Sequence, residues 1–200
     1  ILRVVIQSQA FLSSLVETWL SPSFHADGVN AFRESVSAHL KDCAVVCDVG
    51  GGKHPAIDRS QNLSLSLKVV GLDIDRDELA NAPIGAYDDV ICADICAYRG
   101  GENCDLVISN SVLEHVKDSA AAMRGIASLL KPGGRAVLLV PCRKALYARV
   151  NMLLPERWKR RLLCTILPGA KTHCGFPAYY DHCTPGEMSL IAESVNLKPV

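Results

Sequence analysis

Apolar residues fall into two rhythms along this chain. Five short runs hardly alternate and are rich in Val, Ile and Leu: CAVVCDV (43–49), LKVVGLDI (67–74), DDVICADI (88–95), CDLVISN (104–110) and GRAVLLVP (134–141). Strands covered on both faces read this way, because neither face needs a polar row. Between them lie stretches of helical spacing. VNAFRESVSAHLK (29–41) puts Val29, Phe32, Val36 and Leu40 on one face, and SAAAMRGIASLLK (119–131) is a second such helix, stopped by Pro132-Gly133-Gly134. Strands alternating with helices predict an α/β fold with a parallel sheet and right-handed crossovers.

The first 20 residues are apolar but broken by Arg3, Gln7, Gln9 and Glu17, whereas a membrane span needs about 20 mostly uninterrupted apolar residues. Phe11, Leu12, Leu15, Val16 and Trp19 fit an amphipathic helix, with the clipped end of a longer anchor as the alternative. The absence of an initial methionine leads us to expect a fragment or processed piece. The segments expected are N-terminal helices (1–42), a core (43–142), a further stretch (143–183) and a C-terminal helix (184–200).

A chain of 200 residues with 49% hydrophobic content suits one domain with a substantial core. Lys plus Arg and Asp plus Glu both number 21, so the net charge is zero, which argues against a nucleic-acid binder working through bulk charge. The nine cysteines are odd in number and show no regular framework, which points to reduced thiols in a cytoplasmic protein.

VCDVGGGKHP (46–55) carries the first candidate chemistry. Glycines at the end of a parallel strand let backbone turn sharply and approach a ligand. Lys53 lacks the spacing and the following hydroxyl of a phosphate loop, and Pro55 stands where a dinucleotide fingerprint wants its last glycine. The second run ends in GLDID. Asp73 there can accept hydrogen bonds from ribose hydroxyls, while Asp75 is the better N-cap for DRDELANA. Asp94 in CADI is a third acidic strand tip. Together they outline a nucleoside site without a phosphate cradle.

VCDVGGGKHP, VVGLDID, CADI, CDLVISNSVLEHV and LLKPGGRAVLLVP stand in the order and spacing of a class I S-adenosylmethionine-dependent methyltransferase, which the chain resembles over residues 44–142. SNSVLEHV and LLKPGG are typical of the family's small-molecule, type 11-like branch. The resemblance implies a three-layer, doubly wound, mostly parallel Rossmann-like sheet, here stopping before its last two strands. It implies S-adenosylmethionine as cofactor, with Asp48, Gly50, Gly51 and Gly52 against its methionine part. It further implies Asp73 at the ribose, Ile74 on the adenine, Asp94 and Ile95 at the adenine edge, and Ser109 and Asn110 at the strand tip facing the methionyl group. The family's usual third glycine is replaced by His54, followed by Pro55, so the loop's exit is expected to differ and His54 receives no cofactor role.

His115 in VLEHV is a candidate catalytic base, against the plainer reading that it shapes the pocket floor; methyl transfer needs a base only when the acceptor must lose a proton. Tyr179, Tyr180 and His182 are candidate acceptor-pocket residues, and Thr184 with Glu187 reads as a helix cap. His173, Cys174, His182 and Cys183 match no common zinc spacing, so no metal is expected. Residues 143–171 mix Arg and Lys with Leu, Ile, Met, Tyr and Trp. They read as a lid for an acidic acceptor, as a membrane-surface contact, or as a solvated basic helix. The expected function is methyl transfer to a small-molecule, sugar or lipid-like acceptor. The alternatives are a non-catalytic nucleoside-binding or interaction module of the same fold and, third, an NAD-dependent oxidoreductase. The oligomeric state is not legible.

Overall fold

The computed structural model describes residues 27–153 and 176–200. Five strands form one sheet: β1 (Val45–Val49), β2 (Lys68–Asp73), β3 (Asp89–Cys92), β4 (Cys104–Asn110) and β5 (Leu130–Leu139). Their order is β3-β2-β1-β4-β5 and every pairing is parallel. The chain starts mid-sheet, walks outward to β3, then recrosses β1 to lay β4 and β5 on the other side. That reversal parts the connections leaving β1 and β4, and opens a crevice at their carboxyl ends.

The described helices are α1 (Gly28–Leu40), α2 (Arg59–Leu65), α3 (Arg76–Ala80), α4 (Ser119–Leu129), α5 (Leu146–Leu153) and α6 (Pro185–Ser194), with a 3-10 turn at Leu113–His115. Side chains alternate across the pleat and so build two cores. Val46, Val69, Leu106 and Ile108 meet Phe32, Val36 and Leu40 of α1 on one face. Cys47, Val49, Leu72 and Val107 meet Ala122, Met123, Ile126 and Leu129 of α4 on the other, where α6 adds Met188 and Ile191. Burying each of these Leu or Ile side chains is worth roughly 1.5–3 kcal/mol, and cover on both faces is why the runs of β1, β2 and β4 do not alternate. The edge strands β3 and β5 depart from that expectation and are mostly exposed or half-buried. This is the three-layer, doubly wound sheet.

Helix starts follow the sequence closely. Asp75 accepts from the N–H groups of Asp77 and Glu78, and the Thr184 hydroxyl accepts from Glu187 N–H. The boundaries differ in three places, each with a local cause. The first strand begins at Val45 because the Ala44 and Val45 N–H groups go to the Asp105 carboxylate, at 2.9 and 2.8 Å. The third stops at Cys92, since Asp94 turns the chain: its carbonyl accepts from the N–H groups of Ala97 and Tyr98 and its carboxylate from Cys96 N–H. The fourth helix ends at Leu129 rather than Lys131, because Pro132 disfavours helical Lys131. Leu130 then pairs with Cys104 across a bulge before regular pairing resumes at Leu106 with Arg135.

Close approach marks Gly125 in the middle of α4. A Cβ there would lie 2.0 Å from the Ile95 carbonyl oxygen, so the helix rests directly on the backbone that follows β3. Cys43, Cys47, Cys92, Cys96, Cys104, Cys142 and Cys183 are free thiols. Among the described residues no helix is long and apolar enough to cross a membrane. The expected N-terminal helix and most of the basic stretch, residues 154–171, lie outside the described residues.

Candidate functional site

The glycine loop leaves β1 at the crevice, and Asp48 governs it from below. Asp48 is 1% exposed. Its Oδ2 accepts from Ala56 N–H at 2.7 Å, and the Tyr87 hydroxyl stands 3.5 Å from the same oxygen and donates to the Gly52 carbonyl at 3.1 Å. Its Oδ1 is buried with no hydrogen-bond partner among the described residues. Burial pushes the Asp48 carboxyl up to about 6 and Asp73 adds repulsion, opposed by the Ala56 N–H and the Tyr87 hydroxyl. At Gly51 a Cβ would come within 2.4 Å of Asp48 Oδ2 and 2.5 Å of the Tyr87 oxygen. The loop is therefore a cradle closed against side chains from beneath. At its exit His54 N–H donates to Gly51 O at 2.8 Å, Pro55 passes without an N–H, and Ala56 turns back to Asp48. Lys53 reaches sideways to Glu78 at 2.8 Å.

Two cavities adjoin along the strand tips. One, of about 310 Å³, is lined by Asp48, the three glycines, His54, Asn110 and Phe176 among others. The other, of about 550 Å³, is lined by Ile74, Asp94, Ile95, Val112, His115 and Tyr179 among others. Gly50, Asp73, Ser111 and Phe176 border both. Asp73 thus sits at the junction. Its Oδ1 accepts from Asp75 N–H at 2.9 Å, and its pKa is raised by burial, with Glu78 and Asp75 repelling the charge. Ile74 leaves 59% of its surface exposed beside it, an apolar side chain at a strand tip whose role is not core packing.

Beyond the junction, the 3-10 turn carries a strap, Phe176–Cys183. The Glu114 carbonyl accepts from the N–H groups of Tyr179 and Tyr180 at 2.7 and 3.0 Å, and His115 Nδ1 lies 3.1 Å from Pro177 O. Asp181 Oδ2 accepts from Ser119 N–H at 2.8 Å at the start of α4. Glu114 is buried, its Oε2 has no partner among the described residues, and burial raises its pKa against the opposing charge of His115.

Most residues that the sequence singles out converge here. Asp48, Gly50, Gly51, Gly52, Asp73, Ile74, Asp94, Ile95, Asn110, His115 and Tyr179 all line one cavity or the other. Three do not. Ser109 is buried in β4 just below the tip. Tyr180 packs in a small buried cluster with Ala148 and Cys183. His182 points away and pairs with Asp181 at 2.8 Å. Phe176 at the junction is a lining residue that the sequence reading does not single out, as is Tyr87 as a support beneath the loop; His54, given no cofactor role, lies on the smaller cavity's rim. No group of three or more possible metal ligands occurs among the described residues; His173 and Cys174 lie outside them.

A family model described as "Methyltransferase domain" matches residues 23–183. This chain belongs to that family. The methyltransferase domain is of the class I kind, whose cofactor is S-adenosylmethionine. Its fold is similar to a SAM-dependent methyltransferase from Archaeoglobus fulgidus, at 20% identity over 84% of this chain and 66% of that one, with a TM-score of 0.53. It is also similar to Haemonchus contortus phosphoethanolamine N-methyltransferase 2 in complex with S-adenosyl-L-methionine, at 19% identity over 81% of this chain and 36% of that one, TM-score 0.53. A possible exported protein from Bordetella parapertussis gives 20% identity over 83% and 59%, TM-score 0.54. The methyltransferase domain therefore spans at most about two thirds of the length of these chains. A search of curated proteins by sequence finds no match.

Proposed function

We propose that this methyltransferase domain binds S-adenosylmethionine across the two cavities and transfers its methyl group to a small-molecule, sugar or lipid-like acceptor. The observation that carries the reading is the meeting at Asp73 of the cavity lined by the glycine loop and Asp48 with a larger, more apolar one. The residues present fit the cofactor: a glycine cradle that a Cβ would fill, a buried carboxylate with an unpartnered oxygen, and an exposed Ile74. When bound, the cofactor supplies an electrophilic methyl group on a sulfonium.

The chain's part is binding and alignment. Asp73 offers a carboxylate to ribose hydroxyls, held in place through Asp75 N–H. Ile74 and Ile95 give an apolar seat for a flat base, and anionic Asp48 suits a cationic group in the glycine-loop cavity. Displacement at a methyl group with a good leaving group gains most from holding donor and acceptor in line. Val116, Pro177 and Tyr179 line the far wall of the apolar cavity, an environment suited to an acceptor with an apolar portion. The basic, apolar-studded residues 143–171 support delivery of a lipid-like acceptor at an anionic surface.

Calorimetry with S-adenosylhomocysteine on the full-length protein tests the reading, with micromolar binding expected. Asp73→Ala is expected to weaken it by roughly 10- to 100-fold, the worth of one or two hydrogen bonds to a charged group. Absence of binding by the folded wild type sinks the proposal, and unchanged affinity in Asp73→Ala removes Asp73 from the site.

A further inference from the structure

A general base must turn a lone pair toward the acceptor. His115 has only Nε2 left for that role, because the strap engages its other nitrogen. Its Nδ1 lies 3.1 Å from the Pro177 carbonyl oxygen, and a carbonyl only accepts, so Nδ1 carries the proton. Its Nε2 is turned toward Glu114, 3.9 Å from Oε1, within reach for an ion pair but too far for a hydrogen bond. Nδ1 is therefore committed to the strap, while Nε2 keeps its lone pair. The ring also lies tilted against Phe176, with centroids 6.3 Å apart at 59°.

The strap is gripped at successive points. Asp181 is tied to α4 through Ser119, and Tyr179 and Tyr180 are tied to the Glu114 carbonyl. The His115 bond to Pro177 is the grip nearest Phe176, one residue away. Phe176 lines both cavities, at the junction they share with Asp73.

We propose that His115 is a positioning residue: its Nδ1–H clasps the Pro177 carbonyl and so seats Phe176 over the junction of the two cavities. The functional consequence, closure of Phe176 over a bound nucleoside, rests on the methyltransferase reading. The clasp itself does not.

Two variants separate the roles in the full-length protein. In His115→Asn the amide nitrogen can stand in for Nδ1, whereas in His115→Gln it stands nearer the place of Nε2. Hydrogen exchange of the Ala178 and Tyr179 amides and calorimetry with S-adenosylhomocysteine are the readouts. His115→Asn is expected to match the wild type in both. His115→Gln is expected to speed exchange and weaken binding by about fivefold each, the net effect of losing one neutral hydrogen bond. The double variant His115→Gln/Phe176→Ala is expected to bind no worse than Phe176→Ala alone, because both act through one contact. Equal exchange in His115→Gln and wild type overturns the clasp, as do equal losses in His115→Asn and His115→Gln. Unchanged core exchange controls for folding. If the wild type fails to bind S-adenosylhomocysteine, the methyltransferase reading falls while the exchange comparison still decides the clasp.

Discussion

The glycine loop and the strap face each other across one crevice and are held in opposite ways. Under the loop lie a buried carboxyl, one returning N–H and a tyrosine hydroxyl, packed so closely that Gly51 has no room for a Cβ. The strap is gripped from one side, by a carbonyl and an imidazole on the 3-10 turn and a serine on α4. Two strap residues, Tyr180 and His182, adopt positive φ of 54° and 51°, a region non-glycine residues enter at a cost and keep only when contacts impose it. The loop is shaped mainly by Asp48 and Ala56 within its own segment, with Tyr87 added from beneath, while the strap takes its shape from contacts with residues about sixty positions earlier.

Breaking the loop should have the largest effect. Gly51→Ala forces Asp48 and Tyr87 apart, and overpacking of this kind costs about 1–3 kcal/mol. We expect S-adenosylhomocysteine affinity to fall more than tenfold while hydrogen exchange in the strap stays unchanged. Loss of protection in the strap as well would show that the two regions are not independent.

Asp48→Asn sharpens the contrast through pH. The folded-state pKa of about 6 exceeds the ordinary 3.8, so the folded protein holds this proton more tightly than the unfolded chain. The resulting cost is absent below about pH 4, grows as the pH rises through about 6, and reaches about 3 kcal/mol at most, from 1.36 kcal/mol per unit. The asparagine lacks that cost. Urea denaturation should show the variant gaining stability over wild type at pH 8 and nearly matching it at pH 4. A gain equal at both values would mean that the carboxyl is not strained by burial. Cofactor affinity is expected to fall despite the added stability.

The smallest effect belongs to Tyr87→Phe. The ring still packs over Gly71, where a Cβ would lie 2.8 Å from it, and the bond to the Gly52 carbonyl and the longer 3.5 Å contact with Asp48 are lost. We expect a loss of about 0.5–1.5 kcal/mol in stability and a few-fold weaker S-adenosylhomocysteine binding. No change in calorimetric affinity would place Tyr87 outside the support of the loop.

This contrast also explains what the sequence reveals. The existence and order of the strands, Asp73 at the tip of β2 and the caps at Asp75 and Thr184 depend on neighbours within a few residues, and each is where the pattern puts it, whereas the exposure of the edge strands β3 and β5 depends on their place in the sheet. The roles of Tyr87 and Phe176 depend on partners far away in the chain. Tyr87 reaches Asp48 across 39 positions, and nothing around it marks the contact. Tyr180 and His182 belong to a promising local pattern, yet the strap's bends turn one into a packed cluster and the other toward Asp181. The helix α2 was equally readable from Asp58 and Gln61, which form a capping box, but its apolar face is too short to stand out.

Helix α4 is common to both sides of the crevice. Its first residue, Ser119, holds Asp181 of the strap, and its middle rests through Gly125 on the Ile95 carbonyl at the apolar cavity's edge. Any residue larger than glycine at 125 would tilt the helix and shift both walls together. Redesign of the apolar cavity is therefore better directed at Val116 and Tyr179, away from Gly125 and from the His115–Phe176 contact.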